Sequence, residues 1–346
     1  MKSKSKQLSL NAIDLFAGCG GLTQGMHDAG FTTKVAVEIE PIAAEAYGLN
    51  HPATKIITKN IREVHSQDIL SQLDGEPLHL LAGCPPCQGF SSVRRLNRKK
   101  PVEDHRNDLV LQYLRLVKEL NPLTIMMENV PALIEYEQFK IMITELKDLG
   151  YNPKVNILNV KDFEVPQNRR RLVLIGSRLA EIDFPPKRTT KLYVRDAIYF
   201  LPLPELSDDH FHRIQAKHSD HVMRRIELTP HDGGSRKDLP AEYILDCHKK
   251  TNVGFHDIYG RLRWDDYSTT ITGGCLNPSK GRFLHPEQNR CISPREAAIL
   301  QSFPADYKFP PKVNKSQLSL LIGNALPPKF SYYQSLSIAE HLQTYL

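Results

Sequence analysis

Residues 12–21 read AIDLFAGCGG, an apolar run that passes directly into a glycine-rich turn. The apolar part predicts a buried strand, and the amphipathic stretch at 22–29 predicts a helix after the turn. Glycines between a strand and a helix allow a ligand to approach the backbone closely. The turn has neither the lysine of a phosphate loop nor the third glycine of the dinucleotide fingerprint, since Thr23 stands there. The turn therefore indicates a ligand without a pyrophosphate.

The alternation of strands and helices continues from this turn to about residue 176. Apolar runs predict strands at 12–16, 33–38, 78–82, 123–127 and 171–176. Amphipathic stretches predict helices at 22–29, 42–49, 107–120 and 138–149. Such alternation is typical of an α/β fold, with a mostly parallel, doubly wound sheet and helices on both faces.

The sequence pattern then changes to histidines, turn residues and short β-like segments such as 268–272. It predicts a smaller, irregular β-rich domain at 189–309. Helical periodicity returns after residue 293, and the last helix could pack on the first domain. We therefore predict a catalytic and cofactor-binding domain at 1–188, completed by 310–346.

Length, amino-acid composition and net charge limit the classes of protein to which the chain can belong. With 346 residues and 40% apolar side chains, the chain can form one large domain or two unequal ones. No run approaches the roughly 20 apolar residues that cross a bilayer, so we expect a cytoplasmic protein without a membrane partner. The six cysteines form no dense disulfide framework. A net charge of +6 permits binding to a polyanion, and basic residues crowd the stretch 94–106, which could equally be a solvated loop.

Glu38 ends the second predicted strand, twenty residues after Gly18. A carboxylate in that position can accept hydrogen bonds from both hydroxyls of a ribose. A nucleoside without phosphates therefore fits both the turn and the glutamate. The alternative is a glycine turn and a surface glutamate of no special function.

A second motif, GCPPCQGFS at 83–91, follows an apolar strand. Cys87 would then lie at the carboxyl edge of the sheet, where open α/β folds bind ligands. A zinc site would need a second pair of ligands, and two prolines between the cysteines disfavour thioredoxin-like chemistry. Both remain minor alternatives.

Two further motifs would reach the same edge. Glu128 follows the apolar pair 126–127, and a buried carboxyl can donate a proton near neutrality. Three arginines at 169–171 precede the last predicted strand and could hold an oxygen-rich ligand or form a basic surface turn. A thiol, a carboxyl and arginines beside a nucleoside cofactor suit methylation of cytosine C5. Thiolate addition at C6 makes C5 nucleophilic, and Glu128 would protonate the ring nitrogen.

Taken together, these motifs show that the chain resembles the bacterial DNA (cytosine-5)-methyltransferases. The shared signatures occur in family order: DLFAGCGG at 14–21, PPCQGFS at 85–91, ENV at 128–130, QNRRR at 167–171, REAA to QSFP at 295–304 and GNA at 323–325. The resemblance implies an S-adenosylmethionine-dependent methyltransferase (Rossmann-like) fold. It also implies an enzyme that flips a cytosine out of duplex DNA and methylates C5 in a specific sequence context.

The resemblance assigns roles position by position. Cys87 would be the nucleophile, Glu128 would protonate the ring nitrogen, and Arg169 and Arg171 would orient the flipped cytosine. S-adenosylmethionine would contact Phe16, Gly18, Gly20, Gly21, Glu38, Ile39, Asn60, Ile61, Pro86, Leu109, Asn324 and Ala325. No metal is implied. Asn60 replaces a frequent aspartate that meets the adenine amino group, and Ile39 replaces a frequent aromatic residue.

Double-stranded DNA is the expected partner. The domain at 189–309 would read its sequence through the major groove, and the stretch 94–106 would close over it. We expect a monomer associated with the bacterial nucleoid, and a companion restriction endonuclease acting on the same site stays open. The alternatives are a tRNA cytosine-5 methyltransferase of the same family and a non-catalytic nucleic-acid-binding relative. Ser91 and the length of the second domain favour DNA, while Cys87 and Glu128 favour catalysis.

Overall fold

A computed structural model describes residues 9–86, 108–246, 249 and 257–346. The predicted nucleophile Cys87 and the basic stretch 94–106 lie outside the described residues. The described chain forms two compact units. The first unit comprises the described residues up to Asn159 together with 170–187 and 328–346, and the second comprises 160–169 and the described part of 188–327.

The first unit contains a seven-stranded sheet of order β3-β2-β1-β4-β5-β7-β6. Its strands are β1 (Leu10–Leu15), β2 (Phe31–Val37), β3 (Lys55–Ile57), β4 (Leu80–Gly83), β5 (Thr124–Asn129), β6 (Lys154–Asn159) and β7 (Arg170–Ser177). The pairs among β1 to β5 are parallel, whereas β7 runs antiparallel to both β5 and β6. The predicted mostly parallel sheet is confirmed.

Helices of the first unit pack on this sheet because their apolar faces meet strands that are buried on both sides. They are α1 (Gly21–Asp28), α2 (Pro41–Asn50), α3 (Ser66–Leu70), α4 (Leu109–Leu120) and α5 (Glu137–Asp148). Tyr113 of α4 places its hydroxyl 3.0 Å from the Leu81 carbonyl oxygen and 3.1 Å from that of Met126. This residue therefore joins α4 to both central strands, β4 and β5.

The C-terminal helix of the first unit, Pro328–Tyr345, packs against α1, as the sequence predicts. Contact is close at Gly25, where an added Cβ would lie 2.4 Å from the carbonyl oxygen of Pro328 and the amide nitrogen of Tyr332. Ser331 also donates a hydrogen bond to the Leu22 carbonyl at 2.8 Å. Only glycine fits at position 25 without moving one helix.

The second unit is irregular. Its α-helices are α6 (Val194–Ile198), α7 (His210–Arg213), α8 (Asp220–Leu228), α9 (Pro294–Leu300) and α10 (Lys315–Asn324), which makes the C-terminal helix α11. Where the sequence predicts β-rich structure, the described residues contain isolated bridges, such as Gln167 with Ser268. In this unit the fully buried Arg261 satisfies backbone carbonyl groups that the hydrogen bonds of a regular β-sheet would otherwise satisfy. It donates to the carbonyl oxygens of Thr229, Ile226, His285 and Gln288.

Candidate active site

The glycine turn joins β1 to α1 through residues with positive φ. Phe16 has φ +59°, Gly18 has φ +55°, and Gly20 has φ +95° as the residue that caps α1. Among the residues that the structure describes, no atom lies within 4 Å of the position that a Cβ on Gly18 would take. The backbone of the turn is thus open to a ligand, and Gly21 begins the helix that follows it.

Glu38 lies at the end of β2 with 8% of its surface exposed. Its Oε2 accepts a hydrogen bond from the Gly18 amide at 2.7 Å, and its Oε1 accepts one from the Glu40 amide at 2.8 Å. Burial raises the pKa of Glu38, while these backbone donors act in the opposite direction. Each carboxylate oxygen can accept two hydrogen bonds, so the site retains acceptor capacity for ribose hydroxyls.

A buried polar network lies next to the turn. No sequence motif predicted a role for it. Thr23 donates to Asp14 Oδ2 at 2.7 Å and lies 2.8 Å from the Tyr47 hydroxyl. Burial raises the pKa of Asp14 to about 7. Within the described part of the chain, Asp14 Oδ1 has no hydrogen-bond partner. The only sequence signal was Thr23 itself, which replaces the third glycine of a dinucleotide fingerprint.

The other predicted cofactor residues divide between the two units. In the first unit, Ile39 is 55% exposed, and Ile61 and Leu109 are buried. Asn60 caps the short helix Ile61–Glu63 by accepting from the Arg62 amide at 3.2 Å, and Pro86 is half-buried. Asn324 is exposed and Ala325 is buried, and both belong to the second unit.

Glu128 and Arg171 come together on neighbouring strands, β5 and β7. Arg171 Nε lies 2.6 Å from Glu128 Oε1, and the two side chains are 15% and 12% exposed. Cys84 lies just beyond β4, where burial and then the charge of the nearby Glu128 carboxyl raise the pKa of its thiol well above the usual value. Asn129 donates to the Pro85 carbonyl at 2.8 Å, which ties the chain leading to Cys87 to the end of β5. A partly accessible acid held by a guanidinium is suited to proton transfer.

Arg169 lies elsewhere, inside the second unit. It is 4% exposed and donates to three carbonyl oxygens, those of Ile271 at 2.8 Å, Gly323 at 3.2 Å and Ala325 at 3.3 Å. Gln167 is equally buried and accepts from the Ile271 amide at 2.9 Å. The QNRRR signature therefore contributes packing through two residues and a partner for Glu128 through a third.

Two negative findings concern the described residues only. None of their helices is long and apolar enough to span a bilayer. No group of three or more of their His, Cys, Asp or Glu side chains is arranged to bind a metal ion.

Solved structures identify the class of fold. A prophage-encoded protein of E. coli, described as a candidate DNA modification methyltransferase, matches with a TM-score of 0.75 at 26% identity, over 97% of this chain and 100% of that one. A DNMT2 mutant of Spodoptera frugiperda matches in fold, with a TM-score of 0.64 at 18% identity, over 97% of this chain and 99% of that one. The fold is that of the α/β methyltransferases.

The chain belongs to the C-5 cytosine-specific DNA methylase family, whose model matches residues 10–339. It is 36% identical to the Type II methylase M.HgiDII of Herpetosiphon aurantiacus, over 96% of this chain and 95% of the relative. It is 34% identical to the Type II methyltransferase M1.HphI of Haemophilus parahaemolyticus, over 93% and 84%. The predicted fold class, family and enzyme, a DNA (cytosine-5)-methyltransferase, are confirmed, and this family implies S-adenosylmethionine as methyl donor.

Proposed function

We propose that the protein methylates C5 of a cytosine that it flips out of double-stranded DNA, with Cys87 as nucleophile and Glu128 as acid. The observation that carries the proposal is the pairing of Glu128 with Arg171 at the carboxyl edge of β5, beside the end of β4. The chain runs from that end of β4 directly to Cys87. A reactive thiol and an acid would thus meet at the edge where open α/β sheets bind their ligands.

Residues around the glycine turn fit S-adenosylmethionine, which supplies an electrophilic methyl group when bound. Glu38 would accept from the ribose hydroxyls through its remaining lone pairs, and the exposed Ile39 would pack against the adenine with Asn60 at its edge. The rest of the pocket in the first unit would comprise Phe16, Gly18, Gly20, Gly21, Ile61, Pro86 and Leu109. The open space over Gly18 supports this assignment.

The chain's own residues would carry the remaining steps. The Cys87 thiolate forms a bond to C6 of the flipped cytosine while Glu128 gives its proton to the ring nitrogen, so no negative charge accumulates on the ring. The resulting enamine carbon, C5, accepts the methyl group. Solvent then takes the C5 proton, the thiolate leaves C6, and the ring nitrogen returns its proton to Glu128, which restores the aromatic ring and the acid. Arg171 would hold the Glu128 carboxyl toward the ring throughout.

Arg169 would act differently from Arg171. Its guanidinium donates to carbonyl groups of Ile271, Gly323 and Ala325, which all belong to the second unit. We assign to it the support of the segment that leads into β7, and to Arg171 the contact with the reacting centre. From the sequence alone, both arginines were expected to orient the flipped cytosine.

The second unit would read the DNA sequence, because flipping costs a few kcal/mol that contacts to the duplex must offset. We infer that the enzyme acts as a monomer at the bacterial nucleoid, where its substrate DNA would lie. The Type II designation of the two relatives supports a companion restriction endonuclease that cuts the same site.

The test is transfer of labelled methyl groups from S-adenosylmethionine to duplex DNA, with identification of the methylated base. We expect 5-methylcytosine, no transfer by Cys87→Ser, and covalent capture of wild-type protein on DNA that contains 5-fluorocytosine. Cys275→Ser is the matched control, because Cys275 is a buried thiol of the second unit that the mechanism does not use. Label in RNA, or capture of Cys87→Ser, would contradict the proposal.

A further inference from the structure

One buried arginine of the second unit differs from the others. Among the residues that the structure describes, six arginines of this unit are buried. Five of them donate to carbonyl oxygens or carboxylates of the same unit: Arg169, Arg225, Arg261, Arg290 and Arg295. The sixth, Arg236, is 6% exposed, yet its guanidinium makes no hydrogen bond and no ion pair with any described residue. A buried charge without a partner is unfavourable, so Arg236 is suited to bind an anion from outside the chain.

Arg236 follows a turn whose backbone is fixed. Gly233 has φ +107°, and a Cβ on Gly234 would lie 2.2 Å from the Pro230 carbonyl oxygen. Nη1 of Arg282 donates to the carbonyl oxygens of Gly233 at 2.9 Å and of Gly234 at 3.1 Å. The position from which the Arg236 side chain starts is therefore set by the backbone before it.

Two further basic side chains accompany this turn. Arg263 lies directly over it, since a Cβ on Gly233 would be 2.3 Å from Arg263 Nε. Both Arg263 and Lys237 are exposed, and neither forms an ion pair with another residue in the described ranges. Three cationic groups thus belong to one short surface segment.

The acids of the same segment are held by groups other than Arg236. Asp232 Oδ1 accepts from the Trp264 amide at 2.7 Å. Asp238 Oδ2 accepts from the Ser235 amide at 2.8 Å. These carboxylates therefore do not supply the missing partner of the buried guanidinium.

We propose that Arg236 binds a phosphate group of the DNA backbone, with Lys237 and Arg263 as additional cationic contacts. Only Nη1 of Arg236 is fully buried without a partner, so Nε and Nη2 remain at the surface. These two nitrogens form the edge with which a guanidinium can donate two parallel hydrogen bonds to a phosphate. Phosphate contacts fix a protein on the duplex without reading its sequence. The proposal rests on the proposed function, in which duplex DNA is the substrate.

Stability distinguishes this role from a structural one. Arg236→Met removes the charge and keeps most of the length of the side chain. Its urea midpoint, followed by Trp264 fluorescence, should equal or exceed that of wild type, because replacing buried charge by apolar side chains is often neutral or stabilising. An arginine that held the fold together would give a lower midpoint.

The binding experiment uses the full-length protein and fluorescein-labelled duplex DNA, with anisotropy measured over a series of NaCl concentrations. For Arg236→Met we expect Kd to rise about tenfold at low salt, equally for duplexes with and without the methylated site. The slope of log K against log salt concentration should become smaller by about one. Arg236→Lys keeps the charge and should retain most of the slope.

Arg224→Met is the matched control, because Arg224 is an exposed arginine of the same unit and is paired with Glu227 at 3.2 Å. Its Kd for the duplex should stay within about twofold of wild type.

Three results would overturn the inference. They are an unchanged salt slope in Arg236→Met, a lower urea midpoint in that variant, or a loss of affinity limited to duplexes that contain the methylated site, which would indicate contact with a base. Failure of the proposed function looks different, since wild-type protein would then transfer no methyl group to duplex DNA.

Discussion

The same substitution should have different effects at Arg169 and at Arg171, lowering mainly stability at the first and mainly methyl transfer at the second. Arg169 is buried and donates to three carbonyl oxygens. Arg169→Met keeps the length of the side chain but leaves all three acceptors without their charged donor. Removing one partner of such a buried, charge-assisted cluster costs about 3–5 kcal/mol. We therefore expect Arg169→Met to lose stability by that amount.

Unfolding of the second unit can be measured separately. Trp264 is the single tryptophan of the chain, it is 4% exposed, and it belongs to that unit. Its fluorescence during urea denaturation reports unfolding there. The midpoint should fall in Arg169→Met while the slope stays constant, which is the signature of a change in stability alone.

Arg171→Met is the matched comparison. Arg171 makes one ion pair whose side chains are 15% and 12% exposed, so its loss should cost less than that of Arg169, about 1–3 kcal/mol of stability. Methyl transfer should nevertheless fall about a hundredfold, since Glu128 loses its partner. An Arg169→Met protein with a wild-type Trp264 unfolding curve and no activity would refute the division of roles between the two residues.

Three further predictions concern the first unit. Gly25→Ala should cost at least about 3 kcal/mol in urea denaturation followed by circular dichroism, because its Cβ would meet backbone atoms at 2.4 Å; Gly30→Ala, with open space and φ +93°, should cost only about 1–2 kcal/mol. Glu38→Gln should weaken S-adenosylmethionine binding at least about tenfold in calorimetry, since one amide oxygen must replace two carboxylate oxygens. Burial raises the pKa of Asp14 to about 7 in the folded protein, so folding favours its protonated form. Its contribution to stability is therefore present at pH 4 and is lost as the pH rises through 7. Asp14→Asn should therefore exceed wild type in stability by roughly 2–4 kcal/mol at pH 8 but not at pH 4.

The centre of the sheet could be predicted because its strands are buried on both faces and read as continuous apolar runs. β1 is buried at all six positions. β6 is half-exposed at most positions and lies at one edge of the sheet, and β3 has only three residues at the other. Neither carries an apolar run that sequence patterns detect. The antiparallel direction of β7 is likewise absent from its apolar pattern.

The residue types of the candidate site could be predicted, but the arrangement of their side chains could not. Arg169 is a packing residue because of carbonyl groups more than 100 residues away in the chain. Asp14 belongs to a buried network only through Thr23 of α1 and Tyr47 of α2. Local sequence does not encode such distant contacts, whereas the glycine turn is a local feature and could be identified directly.

The attachment of α11 to α1 has a consequence for synthesis. Residues 328–345 emerge from the ribosome after every other element of the first unit, so the surface of α1 around Gly25 stays uncovered until they have been made. The second unit has all of its residues by position 327 and can fold earlier. A chain that ends at residue 327 and has been released from the ribosome should contain a protease-resistant second unit and a protease-sensitive first one.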